Sequence, residues 1–188
     1  MSAATPLHVR LPITPELPWV AVARSKLGTR EIPGPKSDAF IATLWRGVEW
    51  IHGRNADTDL APWCGAFTRW CVNEANALHT GLMLPPPPPK WWSARSWDAW
   101  GVSLAVPTYG ALLTFVRNGG GHVGWCVGRT DDDRLLVLGG NQGDGVSIAP
   151  FDRWRVARAR WPFSSTRPAL VDLPRLAANG VPSSHNEA

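Results

Sequence analysis

Residues 61–71 read Ala-Pro-Trp-Cys-Gly-Ala-Phe-Thr-Arg-Trp-Cys, and this stretch decides the fold. Pro62 suits the first turn of a helix, because its ring fixes φ near the helical value and its missing N–H would have no partner there. Counting from Cys64, apolar residues recur 3, 7, 11 and 14 positions later, which is the period of one buried helical stripe. The stretch therefore predicts a buried helix that begins at Cys64.

The start of a helix is a favourable place for a reactive cysteine. Unpaired N–H groups and the helix dipole stabilise a thiolate there, and the same amides can bind a developing oxyanion. A free cysteine is also among the most often buried residue types, so simple packing is the alternative for Cys64. Cys71 lies two turns further along, roughly 10 Å away and too far to form a disulfide with Cys64. We interpret Cys71 as a packing residue.

Composition favours one folded domain. The chain has 188 residues, of which 44% are hydrophobic and 18% charged, enough for a single core of ordinary size. We expect an extended arm over residues 1–14, a catalytic domain over 15–163 and a mobile tail over 164–188. The net charge of +4 has no nucleic-acid-binding motif beside it, so a nucleic-acid partner is not expected.

Targeting signals are not recognisable in the sequence. The N-terminus lacks the charged and then apolar pattern of a signal peptide, and no apolar run is long enough to span a membrane. The 3 cysteines do not form a disulfide framework. We expect a monomer that is synthesised in the cytoplasm without a signal peptide.

Periodicity divides the chain into a helical half and a sheet half. Before the Cys64 helix, helical spacing predicts helices over 18–27 and from Ser37 to about Gly53. From residue 111 onward, five short β-prone runs alternate with turn sequences, which is typical of antiparallel hairpins. The runs cover 111–117, 122–129, 134–139, 145–149 and 156–161. This predicts an α+β fold with N-terminal helices packed on a C-terminal antiparallel sheet of about five strands, one face of which is core and the other small and open.

A cysteine nucleophile needs a base, and the base needs a group that holds its ring. His122 begins the second β-prone run, 58 residues after Cys64 and directly after three glycines. Asn141 follows 19 residues later, beyond the neighbouring run, where a hairpin would bring it beside His122. A cysteine at a helix start facing a histidine on a sheet is the papain-type arrangement, although the spacing alone does not distinguish it from a solvated loop histidine.

Several sequence blocks resemble those of the CHAP / NlpC/P60 superfamily of papain-like cysteine peptidases and amidases. They occur in order as Pro-Trp-Cys-Gly-Ala-Phe-Thr-Arg-Trp-Cys (62–71), Ser-Ala-Arg-Ser-Trp (93–97), Gly-Gly-Gly-His-Val-Gly (119–124) and Leu-Gly-Gly-Asn-Gln-Gly-Asp (138–144). The segment Gly-Thr-Arg-Glu-Ile-Pro-Gly (28–34) is similar to the entry of a phage- and secretion-associated branch. The combination is more specific than any single block.

The resemblance implies a catalytic Cys64, a general base His122 and an orienting Asn141 that together cut amide bonds of peptidoglycan. The enzyme would be a stem-peptide endopeptidase or an N-acetylmuramoyl-L-alanine amidase, with no metal or other cofactor. It would act at the bacterial cell wall after phage lysis or dedicated secretion, and an immunity protein or a secretion or phage component could be its partner.

The chain departs from the family pattern directly before the nucleophile. Many NlpC/P60 members carry Asp at this position, whereas this sequence has Trp63. The side chain that completes the oxyanion hole is therefore unassigned. Trp63, Asp59 and Gln142 are the supporting or substrate-binding candidates, and Asp57 is a further supporting group.

Three other readings stay open. A lysozyme-like glycosidase would use Glu31 as general acid with Asp57 or Asp59 as the second carboxylate. A zinc amidase is disfavoured, because the histidines and cysteines show no metal-ligand spacing. A non-catalytic wall-binding or phage structural module would use the 12 tryptophans to stack on sugars.

Overall fold

A computed structural model gives the structure of the protein for residues 16–34, 36–46, 50–51, 54–55, 61–117, 120–163 and 173–176. The predicted arm over 1–14, the candidate carboxylates Asp57 and Asp59, and most of the predicted tail lie outside these residues.

Three α-helices and two short 3-10 helices are present in this part of the chain. The α-helices are α1 (Pro18–Arg24), α2 (Ala39–Thr43) and α3 (Cys64–Leu78), and the 3-10 helices cover Ala94–Ala99 and Arg153–Arg155. The helix predicted from the opening stretch is therefore confirmed as α3, which begins at Cys64. Among the described helices, none is both long and apolar enough to cross a membrane.

A six-stranded antiparallel sheet forms the second half of the fold, beside a separate two-stranded hairpin. The hairpin pairs β1 (Trp50–Ile51) with β2 (Arg54–Asn55), and the sheet contains β3 (Val102–Ser103), β4 (Leu112–Arg117), β5 (Gly120–Arg129), β6 (Leu135–Gly139), β7 (Ser147–Phe151) and β8 (Val156–Trp161). The order in the sheet is β3-β8-β4-β5-β6-β7. The five predicted runs correspond to β4 to β8, so the α+β prediction is confirmed, with β3 as an additional edge strand.

The helices cover one face of this sheet through an aromatic core. Trp19 on α1 packs edge-on against Trp161 at a centroid distance of 5.5 Å, and also contacts Trp125 on β5. The Trp19 indole N–H donates to the Gly110 carbonyl at 2.9 Å, so this buried polar group is satisfied. Several of the many tryptophans thus belong to the core that fixes the helices on the sheet.

The opposite face of the sheet is also buried, and the prediction of an open face is wrong. Cys126 and Phe115 are inaccessible there, and Phe151 packs on Phe115 with centroids 4.5 Å apart. Leu173 adds to the same apolar cluster. The glycines of β5 suggested open space, but they instead allow close packing: a Cβ at Gly128 would lie 2.7 Å from the Pro174 carbonyl oxygen.

Helix α2 is much shorter than predicted. Asp38, and not Ser37, is its N-cap, with a carboxylate that accepts the N–H groups of Phe40 at 2.9 Å and Ile41 at 3.1 Å. The helix ends at Thr43, whereas the sequence predicted helical structure to about Gly53. The residues beyond Thr43 include the β1–β2 hairpin. Strand β1 consists of an aromatic and a β-branched residue, and both residue types favour extended structure.

Part of the predicted tail packs on the end of β5. The Arg129 N–H donates to the Pro174 carbonyl at 2.9 Å, and the Leu176 N–H donates to the Arg129 carbonyl at 3.0 Å. Residues 173–176 therefore extend the covered face of the sheet, and mobility of the tail as a whole stays a prediction.

Candidate active site

Cys64 is the first residue of α3 and is nearly buried, with 4% of its surface exposed. Burial raises the pKa of its thiol, and the backbone N–H groups of Val123, Gly65 and Cys64 itself act in the opposite direction. Val123 directly follows His122 on β5. The predicted nucleophile therefore lies against the strand that carries the predicted base.

The loop after β6 closes over the first turn of α3. Strand β6 pairs with β5 as far as Leu138 opposite Trp125 and with β7 as far as Gly139 opposite Ser147, and the chain then leaves the sheet. A Cβ at Gly140 would lie 2.4 Å from Cζ3 of Trp63 and 2.7 Å from Cβ of Phe67, so only glycine fits here. This contact fixes residues 141 and 142 beside the nucleophile.

The His122 ring is buried and packs against two phenylalanine rings. It stacks on Phe151 with centroids 5.4 Å apart and an interplanar angle of 8°, and it also contacts Phe115 at 6.1 Å. Its Nε2 forms a hydrogen bond of 2.9 Å with Oε1 of Gln142. Apolar stacking thus fixes the ring plane, and a single polar contact fixes its rotation.

The contacts of Gln142 decide which ring nitrogen of His122 carries the proton. The Gln142 Nε2 donates to the Ser147 carbonyl at 2.7 Å and to the Val137 carbonyl at 3.2 Å. Carbonyls accept only, so the amide nitrogen must face them and Oε1 must face the ring. Oε1 can only accept, so His122 Nε2 is the protonated nitrogen, and the neutral ring keeps the Nδ1 lone pair for a proton from elsewhere.

In the structure, the hydrogen bond to His122 Nε2 comes from Gln142. Asn141 is buried in the same loop with φ of 59°, a left-handed conformation that Asn tolerates better than most residues. The sequence predicts an amide at this turn, but only the backbone path decides which of two consecutive amides reaches the ring. The orienting role of Asn141 stays a prediction.

Burial favours the uncharged forms of both reacting groups. Burial lowers the pKa of His122 to about 4, with smaller contributions from the charges of Arg117 and Arg155 and against the raising effect of the Gln142 hydrogen bond. Burial also raises the pKa of the Cys64 thiol, against the lowering effects of the Val123 N–H and the Arg117 charge.

Glu31 is engaged by a neighbour of the nucleophile. Its Oε1 accepts the indole N–H of Trp63 at 2.7 Å, and Trp63 is fully buried as the N-cap of α3. Of the supporting candidates, Trp63 and Gln142 thus lie at the site, whereas Asp59 is outside the described residues. In the part of the chain that the structure covers, no group of three His, Cys, Asp or Glu side chains could hold a metal ion.

The fold and this site define the class. A cysteine at the first turn of a helix beside a histidine on an antiparallel sheet is the papain-like arrangement. Residues 56–141 match the family model of the CHAP domain, which is consistent with a domain of the CHAP and NlpC/P60 type, as the sequence blocks indicate. Such domains are in general peptidoglycan amidases or peptidases. No curated protein matches the chain closely enough to count as a relative.

Sequence reasoning missed two features of the site. One is the hydrogen bond between Gln142 and the base, and the other is the bond between Glu31 and Trp63. Gln142 directly follows Asn141, and Glu31 lies in the distinctive 28–34 block, so both signals were present in the sequence. The sequence does not identify the residue at the other end of either hydrogen bond, because both bonds join segments that are far apart in the chain.

Proposed function

We propose that this protein is a cysteine hydrolase that cleaves amide bonds of bacterial peptidoglycan, as a stem-peptide endopeptidase or as an N-acetylmuramoyl-L-alanine amidase. One observation carries the proposal: α3, which begins at Cys64, packs on β5, where His122 has its Nε2 committed to Gln142. The Nδ1 lone pair of His122 is therefore left to take a proton, on the strand against which the helix of the thiol packs.

Acylation begins with transfer of the Cys64 thiol proton to Nδ1 of His122 as the sulfur attacks the carbonyl carbon of the amide. The carbonyl oxygen gains the negative charge, and the N–H groups at the start of α3 stabilise it. The imidazolium then donates its proton to the departing nitrogen, and the C–N bond breaks. An amine leaves, and a thioester remains on Cys64.

Deacylation uses the same groups in reverse order. Neutral His122 takes a proton from a water molecule, whose oxygen attacks the thioester carbon. The C–S bond breaks, the sulfur recovers a proton from the imidazolium, and a carboxylic acid leaves. Gln142 keeps the ring in the one tautomer that can carry the proton in both directions.

Mass spectrometry of the products from purified sacculi tests this proposal. We expect new free amines and new carboxyl groups in the released muropeptides, and the peptide mass identifies the bond. New reducing sugar ends without amines would instead support a glycosidase that uses Glu31. Binding to sacculi without any released product would support a wall-binding module, and either result would overturn the proposal.

The place of action follows from the proposed substrate. Peptidoglycan lies in the bacterial wall, so we propose that the protein acts there. The delivery route, an immunity partner and the monomeric state stay predictions from the sequence.

A further inference from the structure

Trp63 is the residue next to the proposed nucleophile, and its only polar atom is held from a distant part of the chain. The indole N–H donates to Oε1 of Glu31 at 2.7 Å, across 32 residues of sequence. The Trp63 ring is fully buried, and its Cζ3 is so close to Gly140 that no Cβ fits between them. The ring therefore lies between Glu31 on one side and the loop of Gln142 on the other.

The segment that carries Glu31 also binds this loop through its backbone. Residues 28–31 run antiparallel to residues 144–146 and pair with them. The backbone bonds are Gly28 N–H to Val146 O at 3.0 Å, Val146 N–H to Thr29 O at 2.8 Å and Glu31 N–H to Asp144 O at 2.8 Å. An Arg30 guanidinium nitrogen adds a bond of 3.0 Å to the Gly143 carbonyl. One short segment thus contacts both the start of α3 and the loop that orients the base.

We propose that Glu31 is a positioning residue for the hydrolysis. Its carboxylate holds the Trp63 indole, while its backbone holds the loop of Gln142, so that it fixes the distance between Cys64 and His122. The inference rests on the proposed function but assigns to Glu31 a role other than general acid. One of its two carboxylate oxygens, Oε1, accepts the indole N–H.

The packing explains why a lost acceptor should matter for catalysis. A buried N–H without a partner is unfavourable, so in Glu31→Ala the indole is expected to turn toward another acceptor. The ring cannot turn freely, because Gly140 lies against it, and its movement displaces the first turn of α3 or the loop. A misplacement of about 1 Å between reacting groups can lower the rate by about 100-fold.

Steady-state kinetics on a soluble muropeptide, prepared from sacculi with a muramidase, tests the role of the side chain. We expect Glu31→Ala to lower kcat by about 10- to 100-fold with KM changed less than about threefold, because substrate binding is retained. Glu31→Gln keeps a carbonyl oxygen at the same place and should recover kcat to within about threefold of wild type. Glu16→Ala is the matched control, since Glu16 accepts Arg24 Nε at 2.7 Å near α1 and should leave kcat unchanged.

Three outcomes would overturn the inference. The first is a folded Glu31→Ala variant with the kcat of wild type. The second is a Glu31→Gln variant that is as slow as Glu31→Ala, because this result would indicate that the charge or a proton of Glu31 is needed. If Glu31→Ala does not fold, Trp63→Phe removes the indole N–H together with part of the ring, and an unchanged kcat in this folded variant is the third outcome. A wild-type protein that releases no amines would contradict the proposed function itself.

A second readout needs no turnover. In Glu31→Ala, we expect the rate at which iodoacetamide alkylates Cys64 to differ from wild type by at least about threefold, because the sulfur leaves its place beside Val123. Glu16→Ala should react at the wild-type rate. Equal alkylation in wild type and Glu31→Ala, with both folded, would contradict a positioning role.

Discussion

At the scale of single residues, the site combines uncharged groups in a buried setting. Gln142 is an amide and brings no charge to the His122 ring, and burial disfavours the imidazolium and the thiolate alike. Proton transfer must therefore accompany attack on the substrate, with Gln142 setting the tautomer that makes the transfer possible. Three predictions about single residues follow from these contacts.

The first concerns the pH dependence of stability. The folded pKa of His122 is about 4, below its ordinary 6.5, so the unfolded chain binds more protons between these values. The free energy of unfolding should therefore fall as pH falls through this window, by roughly 3 kcal/mol in total. Urea unfolding at several pH values measures this effect, and His122→Gln, which has no titrating ring, should lack it.

Two carboxylates have a lowered pKa and titrate below this window. Hydrogen bonds from Thr130 and Arg153 lower the pKa of Asp132 and Asp133 respectively, so any stability that these groups contribute is lost only below about pH 3.8. An identical pH dependence in wild type and His122→Gln would contradict a buried neutral histidine.

The second prediction concerns the reactivity of the thiol. Because burial raises the pKa of Cys64 above 9.0, its alkylation by iodoacetamide should accelerate continuously through pH 9. Cys64→Ala should incorporate no label while folded, because burial protects Cys71 and raises the pKa of Cys126 to about 12. A rate that reaches a plateau below pH 7 would instead indicate a preformed thiolate and imidazolium pair.

The third prediction separates the two amides of the loop. Gln142→Ala removes the acceptor for His122 Nε2 and should lower kcat by about 10- to 100-fold. Asn141→Gly keeps the left-handed backbone conformation and removes only the side chain, so its effect on kcat should be smaller. Kinetics of both variants on the same muropeptide decide between them, and the opposite ranking would return the orienting role to Asn141.

The sequence predicted single residues well where local patterns apply. Cys64 follows from a proline and a helical stripe, and His122 follows from three glycines before a strand. The partner of His122 did not follow, because the choice between Asn141 and Gln142 depends on the φ of 59° at Asn141.

At the scale of secondary-structure elements, the first turn of α3 depends on a close approach to the chain after the proline run. A Cβ at Gly65 would lie 2.4 Å from the Trp91 carbonyl oxygen, and backbone cannot easily yield. We expect Gly65→Ala to lower the free energy of unfolding by about 1–3 kcal/mol. Gly120→Ala is the control, because its nearest neighbour is Arg117 Nε at 3.9 Å. Equal stability of the two variants in urea unfolding would contradict this packing.

Elements were predictable where one period persisted. Helix α3 and strands β4 to β8 follow from helical and hairpin patterns, and their bounds differ from the predicted ones by a few residues. The end of helix α2 was not predictable in this way. Apolar residues at helical spacing continue past Thr43 toward a segment that pairs as β1. The buried second face of the sheet was missed, since it is covered by Leu173, which no local pattern connects with β5.

At the scale of the whole molecule, the fold extends well beyond the region that matches the CHAP family. Residues 56–141 omit α1, β7 and β8, yet β8 lies between β3 and β4, and β7 pairs along β6. They also omit Glu31 and Gln142. The folded domain and its candidate site therefore include segments on both sides of the matched region.

A fragment test follows from this arrangement. We expect residues 56–141 alone to remain unfolded by circular dichroism, because two strands and Trp19 are missing from the core. A fragment over 16–176 should unfold cooperatively like the full chain. Cooperative folding of the shorter fragment would contradict the sheet order.

The most direct test of the central claim is the rate of free-amine release from purified sacculi by wild type and by folded Cys64→Ala. Wild type should release amines, and Cys64→Ala should be slower by at least about a thousandfold, because no other group can form the thioester. Amine release at a similar rate by both proteins would show that Cys64 is not the nucleophile.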